Sequence, residues 1–196
     1  MRLSKAVPML AGATAVGGAV YWMVRFSRLS VEKPEHLALR KDGRFELREY
    51  PPLTVARTGM EEGRRDSAYL RLFGFIHRGN DRGRNIAMTA PVIIDRAPGE
   101  STMNFVMPEQ ARQEGVPAPT DTDVKVGVRP SRRVAVYRFS GTTSEANEQS
   151  AIDELRSWMA REGLRPSGDP AVAYYDAPYL PPFLRRNEVM LTVAEA

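Results

Sequence analysis

The sequence predicts an α+β protein: a distorted antiparallel β-barrel with two helices packed against its outside, preceded by an N-terminal transmembrane helix. Three observations lead there. From Arg44 onward apolar residues alternate with period two over most segments, which is the pattern of half-buried strands. Twice, after Gly63 and after Ser144, the period becomes helical. Both halves then read strand, strand, helix, strand, strand, an internal repeat of architecture without a clear repeat of residues. Two half-units about a pseudo-twofold axis would close their strands into one barrel.

Composition narrows the function classes. At 196 residues, with 42% hydrophobic and 27% charged residues, the chain is long enough for one globular domain with a sizeable core, alone or with an appendage. The net charge is +4, yet Lys and Arg are scattered among Asp and Glu. No basic stripe interleaved with aromatics appears, which argues against a nucleic-acid partner. Cysteine is absent, so disulfides, thiol catalysis and thiolate metal sites are excluded.

Taken in order, the chain opens on an uncharged stretch from Ala6 to Val24, bracketed by Arg2 and Lys5 before it and Arg25 and Arg28 after. Its length, about 19 residues, is what a helix needs to cross a bilayer. Residues 1–25 are therefore expected to be a single-pass membrane anchor, with Tyr21 and Trp22 at an interface. A cleaved signal peptide is the alternative, because Ala13-Thr14-Ala15 has the small-x-small form of a cleavage site. Residues 26–43 read as a polar linker, and 44–196 as the folded domain.

Within that domain, Phe45 and Leu47, then Leu53 and Val55, mark two short strands separated by Pro51-Pro52. A helix follows, with Asp66 or Ser67 as its cap and Gly79-Asn80 as its stop. Tyr69, Leu72, Phe73 and Ile76 fall at i, i+3, i+4 and i+7, the spacing of an inward face. Leu70 and His77 extend the apolar surface sideways beyond the width needed for packing. A strand from Ile86 to Ile94 and another at Met103–Met107 complete the first half, and Pro108 to Thr122 reads as a surface loop. Val124, Val126 and Val128, then Val134 and Val136, mark the next two strands. A helix from Ser144 to Glu162 turns Ala151, Ile152, Leu155, Trp158 and Met159 inward and ends at Gly163. Strands near Ala171–Tyr175 and Glu188–Val193 close the chain.

Several segments carry a resemblance. Asn85-Ile86-Ala87-Met88-Thr89-Ala90-Pro91-Val92 contains the MTAPV signature of the SOUL haem-binding protein family, preceded by Gly79-Asn80 at the family's spacing. Phe45-Glu46-Leu47-Arg48-Glu49-Tyr50 is similar to its Y-E-x-R-x-Y strand, with Phe for the first Tyr. Pro117-Ala118-Pro119 with Asp121 and Val124 resembles its P-x-P-x-D-x-x-V loop, and Phe139-Ser140-Gly141 its F-x-G turn. Tyr174-Tyr175-Asp176 and Arg185-Arg186-Asn187-Glu188-Val189 resemble its carboxyl end. Together they cover about Arg44 to Val193 in order.

The resemblance implies a barrel of two βαββ-like repeats that reversibly holds haem or a related tetrapyrrole, not tightly, beside the first helix. At the family's helix contact positions this chain has Asp66, Tyr69, Phe73 and Gly74, without the basic residue expected at two of them. Where some members have a histidine before the Tyr of the opening strand, Glu49 stands. The expected haem-binding residues are Arg65, Tyr69, Leu70, Phe73, Gly74, His77 and Met88.

Iron accepts His, Met or Tyr, and a macrocycle needs an apolar wall with cations near its propionates. His77, with Arg78 adjacent, is the candidate iron ligand. Its alternative is a solvent-facing histidine in the last helical turn. Met88 lies on the signature strand, where core packing is the favoured reading, as it is for Tyr174 and Tyr175. His36 lies in the linker stretch, and the Arg185–Glu188 segment reads as a structural ion-pair network.

No phosphate-binding glycine loop, HExxH pattern or G-x-S-x-G elbow is present, so a non-enzymatic, membrane-tethered binding protein is expected. Two alternatives stay open. One is a module for another amphipathic small molecule; the other is a scaffold docking a protein through Leu70 and Phe73.

Overall fold

Alternation in the opening strand shows how the sheet divides its two faces. Strand β2 (Phe45–Tyr50) buries Glu46, Arg48 and Tyr50 on one face, while Phe45 and Leu47 pack on the other against the second helix layer. In the computed structural model, residues 31–61 and 63–194 are described. From Glu32 onward the chain forms one unit. Its strands are β1 (Leu37–Asp42), β2, β3 (Leu53–Met60), β4 (Val92–Ala97), β5 (Glu100–Val106), β6 (Val124–Arg129), β7 (Arg132–Phe139), β8 (Pro166–Tyr174) and β9 (Asn187–Val193). Its helices are α1 (Arg65–Ile76), the short α2 (Glu109–Gln113) and α3 (Glu145–Arg161), with a single 3₁₀ turn at Pro182–Leu184.

Every described strand pairing is antiparallel. The order is β1-β2-β7-β9-β8-β4-β5-β3-β6. From β2 to β6 this order is unchanged when β2–β5 are exchanged with β6–β9, so the two repeats meet at the central β4·β8 pair. Each repeat lends its first strand to the other: β2 pairs with β7, and β6 with β3.

The expected closure of the barrel is corrected here. The sheet is open, with edges at β1 and β6. Where β2 runs into β3 and β6 into β7, the register carries through without a shift: Tyr50 opposes Arg132 and Leu53 opposes Arg129. Pro51 and Pro52 therefore face Pro130 and Ser131. Three of those four residues have no amide to donate, so the ladder is interrupted there, between the β2·β7 pair and the β3·β6 pair.

Three apolar clusters fill the unit. One lies beneath α1, around Leu72, Phe75, Ile76, Met103 and Phe105; a second lies beneath α3, around Leu155, Trp158, Met159 and Leu191. The third occupies the opposite face of the sheet, with Val55, Ile93, Val134, Val136 and Met190. Beside it sits a buried polar network that unites the two ends of the chain. Arg48, 1% exposed, donates to both carboxylate oxygens of Glu188 at 2.7 and 3.1 Å and to Glu46 at 2.7 Å. Tyr175 and Arg186 also donate to Glu188. Burial alone would push the Glu188 carboxyl up, but Arg48 and then Arg186 bring it down to about 2, so it remains ionised inside the fold.

Two further expectations change. Leu37–Asp42, inside the stretch that reads as linker, forms β1 on the edge of β2, and α2 forms within the segment that reads as a loop. The single-pass anchor and the membrane localisation resting on it are also corrected. Among the described residues no helix is long and apolar enough to cross a membrane, and residues 6–24 lie outside the described residues, so no anchor is assigned.

Candidate functional site

Helix α1 begins without a side-chain cap, with Asp66 in its first turn favouring the positive end of the helix dipole. It packs on β3, β5 and β6. Ala68, Leu72, Phe75 and Ile76 are the residues it buries, at i, i+4, i+7 and i+8. The inward face expected from Tyr69, Leu72, Phe73 and Ile76 is therefore rotated: Leu72 and Ile76 point in, whereas Tyr69 and Phe73 stand on the flank. Both stripes fit a 3.6-residue period and share two members, which is why periodicity alone does not separate them.

The helix stops by a Schellman arrangement. The amide of Gly79 donates to the carbonyl of Gly74 at 2.9 Å, and Arg78 takes the left-handed conformation with φ 68°, a place usually held by glycine. A Cβ on Gly79 would lie 2.6 Å from the Gly74 oxygen, so only glycine fits there. Asn80 locks the turn, donating to the carbonyls of Phe75 at 3.1 Å and Arg84 at 2.8 Å. The proline loop docks on it, with the Ala118 amide donating to Asp81 at 2.9 Å.

The outward flank of α1 carries a column of rings. Tyr69 lies 5.8 Å from Phe73 at 23° between planes, and Phe73 lies 3.8 Å from His77 at 25°. Rings 3.8 Å apart can only lie face to face, so His77 covers a face of Phe73 and the column presents ring edges outward. Phe73 is 36% exposed and Leu70 65% exposed. Gly74 leaves open space beside them, since a Cβ there would meet nothing within 4 Å. The result is an apolar ledge with a gap at its centre.

His77 ends this column in a specific orientation. Its Nδ1 donates to the Phe73 carbonyl at 3.1 Å. That bond commits Nδ1 as a donor, and Nε2 has no partner among the described residues; a neutral imidazole held in this way offers Nε2 to a metal. Among the described residues no three His, Cys, Asp or Glu side chains gather into a multidentate metal site, so a metal met here would meet one imidazole. Arg78, exposed and next in sequence, has no hydrogen bond or ion pair among the described residues. Sequence adjacency to His77 was the signal for it; the backbone conformation that holds it was not readable.

The remaining expected residues sit elsewhere. Arg65 is held between the halves, donating to Glu148 at 2.9 Å with its guanidinium 5.1 Å above the Tyr174 ring. Burial opposes its charge, but Tyr174 and Glu148 hold it more firmly protonated than usual. Tyr174 is shifted up, first by burial and then by Glu148. Arg65 is thus committed to a structural clasp that also takes in Arg96, paired with Glu148. Met88 is half-buried against the cluster beneath α1, which accounts for it as packing.

A second concavity lies on the other flank. Arg64, Ser67, Ala68 and Arg71 of that flank, with the ends of β3, β5 and β6, line an open cleft of about 860 Å³. Its walls carry four cationic and four acidic side chains among small and polar residues.

The family model described as SOUL heme-binding protein matches residues 31–192. The chain is 30% identical over 163 residues to heme-binding protein 2 of Mus musculus, covering 76% of this chain and 78% of that protein. It is 30% identical over 162 residues to heme-binding protein 1 of Xenopus laevis, covering 76% and 84%. Among solved structures, the C-terminal domain of EcmrR superposes with a TM-score of 0.58 at 12% identity, covering 78% of this chain and 98% of that one. An uncharacterized conserved protein from Listeria innocua does so with a TM-score of 0.55 at 14% identity, covering 84% and 93%. These two show shared architecture only. With a family match across the whole sheet and relatives sharing that length, the chain belongs to the SOUL heme-binding protein family.

Proposed function

We propose that the protein reversibly binds haem or a related tetrapyrrole on the ledge formed by Tyr69, Leu70, Phe73, Gly74 and His77, and acts as a carrier or buffer, not as a catalyst. The observation that carries this reading is the His77 geometry: Nδ1 tied to a backbone carbonyl, Nε2 free, at the end of an exposed aromatic column. The heme-binding proteins among its relatives supply the ligand class.

Bound haem would supply an iron that accepts one more nitrogen ligand. The chain's own residues do the rest. Ring edges of Tyr69 and Phe73 favour an edge-to-face contact with a flat aromatic surface, and Gly74 lets that surface approach the helix backbone. His77, stacked in the same column, would be the residue to offer the iron a nitrogen ligand, through Nε2. Arg78, exposed and next to His77, would be the cation to meet a propionate. Arg65 and Met88 are not part of this reading, because both are occupied by contacts within the fold.

The test is a titration of the protein and its His77→Ala variant with haemin and with metal-free protoporphyrin, followed by Soret absorbance. The expected result is a Soret position for haemin that moves on His77→Ala, with protoporphyrin affinity nearly unchanged. Identical spectra for the two proteins would remove His77 as a ligand. Absence of binding to either porphyrin would overturn the tetrapyrrole reading and favour another amphipathic ligand or a protein docked on Leu70 and Phe73.

A further inference from the structure

On the face of the sheet away from α1, which they share with Val55, strands β3 and β6 place two cations directly across from each other. Arg57 opposes Lys125 in the ladder, and both side chains line the cleft of about 860 Å³. Like charges at opposed positions of an antiparallel pair repel. Neither side chain has a hydrogen bond or ion pair among the described residues, so no described side chain is bonded to either cation to offset that repulsion.

The carboxylates of the cleft do not supply the offset. Glu61 pairs with Arg64 at 3.2 Å, Asp123 with Arg71 at 3.8 Å, and Asp95 with Arg129 at 2.9 Å. Glu100 is the one acidic lining residue without a partner among the described residues. It lies on β5 two residues from Thr102, which opposes Gly59, and so stands at the far end from Arg57.

A second observation points to an occupant. Gly59 lies two residues beyond Arg57 in the interior of β3, and Gly127 two residues beyond Lys125 in β6. Glycine weakens a strand interior, and its usual reasons there are a bulge or the close approach of a ligand. Both ladders of β3 run without a register shift, so there is no bulge to explain either residue. Of the two, Gly59 lines the cleft, and a Cβ there would meet nothing within 4 Å, so the floor beside Arg57 is bare backbone. The cleft's volume is that of a small-molecule site.

We propose that this cleft is a second binding site, for a small molecule bearing a phosphate or a pair of carboxylates, with Arg57 and Lys125 as its anion-binding residues. A guanidinium fork and an ammonium set opposite each other can each take one edge of a doubly charged oxyanion. The site is separate from the ledge and does not rest on the tetrapyrrole reading.

The test is calorimetric titration of the full chain at low ionic strength, in a buffer free of phosphate, with inorganic pyrophosphate and with succinate. Saturable binding of at least one probe is expected, weakened about tenfold or more in Arg57→Gln and in Lys125→Gln and unchanged in Phe73→Ala. Binding of pyrophosphate alone would assign the site to phosphates, and binding of succinate alone to dicarboxylates. Circular dichroism of both Gln variants checks that the fold is intact. No saturable binding of either probe overturns the proposal, and so does binding that Arg57→Gln and Lys125→Gln leave unchanged.

Discussion

Replacing Phe73 by Ala tests the ledge with a magnitude that the structure sets. A Phe side chain offers about 200 Å² of surface, and Phe73 is 36% exposed, so about 70 Å² is available to a ligand. At roughly 25 cal/mol per Å² that area is worth about 1.8 kcal/mol, or about 20-fold in Kd. The contact is to ring edges and does not involve iron, so haemin and metal-free protoporphyrin should weaken by similar factors. Absorbance titration of both porphyrins against the wild type and the variant measures this. Urea unfolding provides the control: Phe75, buried two residues away at 2% exposure, should cost about 3–5 kcal/mol of stability when changed to Ala, and Phe73 distinctly less. A change in porphyrin affinity below twofold in a folded Phe73→Ala protein would refute the ledge, and a loss confined to haemin would refute edge-to-face stacking as its basis.

Other consequences are equally direct. Changing Arg78 to Gly should relieve the left-handed strain at the helix end and raise stability by about 1 kcal/mol, or about 2–4 °C in Tm, while weakening porphyrins that carry propionates; a lowered Tm would contradict the capping geometry. Gly79→Ala, whose Cβ would press on the Gly74 carbonyl, should destabilise by about 1–3 kcal/mol in denaturant unfolding. The Glu188 carboxyl is depressed from an ordinary 4.5 to about 2, so its contribution is fully present above pH 4.5 and is lost as pH falls toward 2. That contribution is about 3 kcal/mol. Glu188→Gln should therefore unfold more easily at neutral pH and show a flatter stability profile between pH 4.5 and 2; an unchanged acid profile would show that Glu188 does not govern it.

Much of the fold follows from local pattern, and what does not has identifiable causes. Strands β2, β3, β6 and β7 are visible because apolar residues recur at every second position of their sequences, although only in β2 is burial strictly alternate, and α3 because Ser144 caps it, accepting from the Asn147 amide at 3.4 Å. Strand β1 is hidden because all six of its residues are exposed, so it has no alternation to read. The phase of α1 is ambiguous because Tyr69 and Phe73 are as apolar as the residues it buries. What makes them a surface is the sheet beneath, which accepts Ala68 and Phe75 instead. Arg65 looks available in sequence because its partner, Glu148, lies 83 positions later. The Arg57–Lys125 pair is likewise invisible without the register of β3 against β6.

The exchange of first strands has a consequence for the order in which the molecule can be made. During synthesis the first repeat emerges with β2 lacking β7, β3 lacking β6, and β4 lacking β8. Within it β1·β2, β3·β5 and β4·β5 can pair and α1 can form, but nothing joins the β1·β2 pair to the β3·β5·β4 sheet until the strands beyond residue 124 are available, and β9 ends only at Val193. Such long-range pairing makes folding slow and leaves apolar strand surface uncovered meanwhile. A nascent chain arrested before Val124 should thus be protease-sensitive and bound by chaperones, and a clipped second repeat should leave no stable half behind.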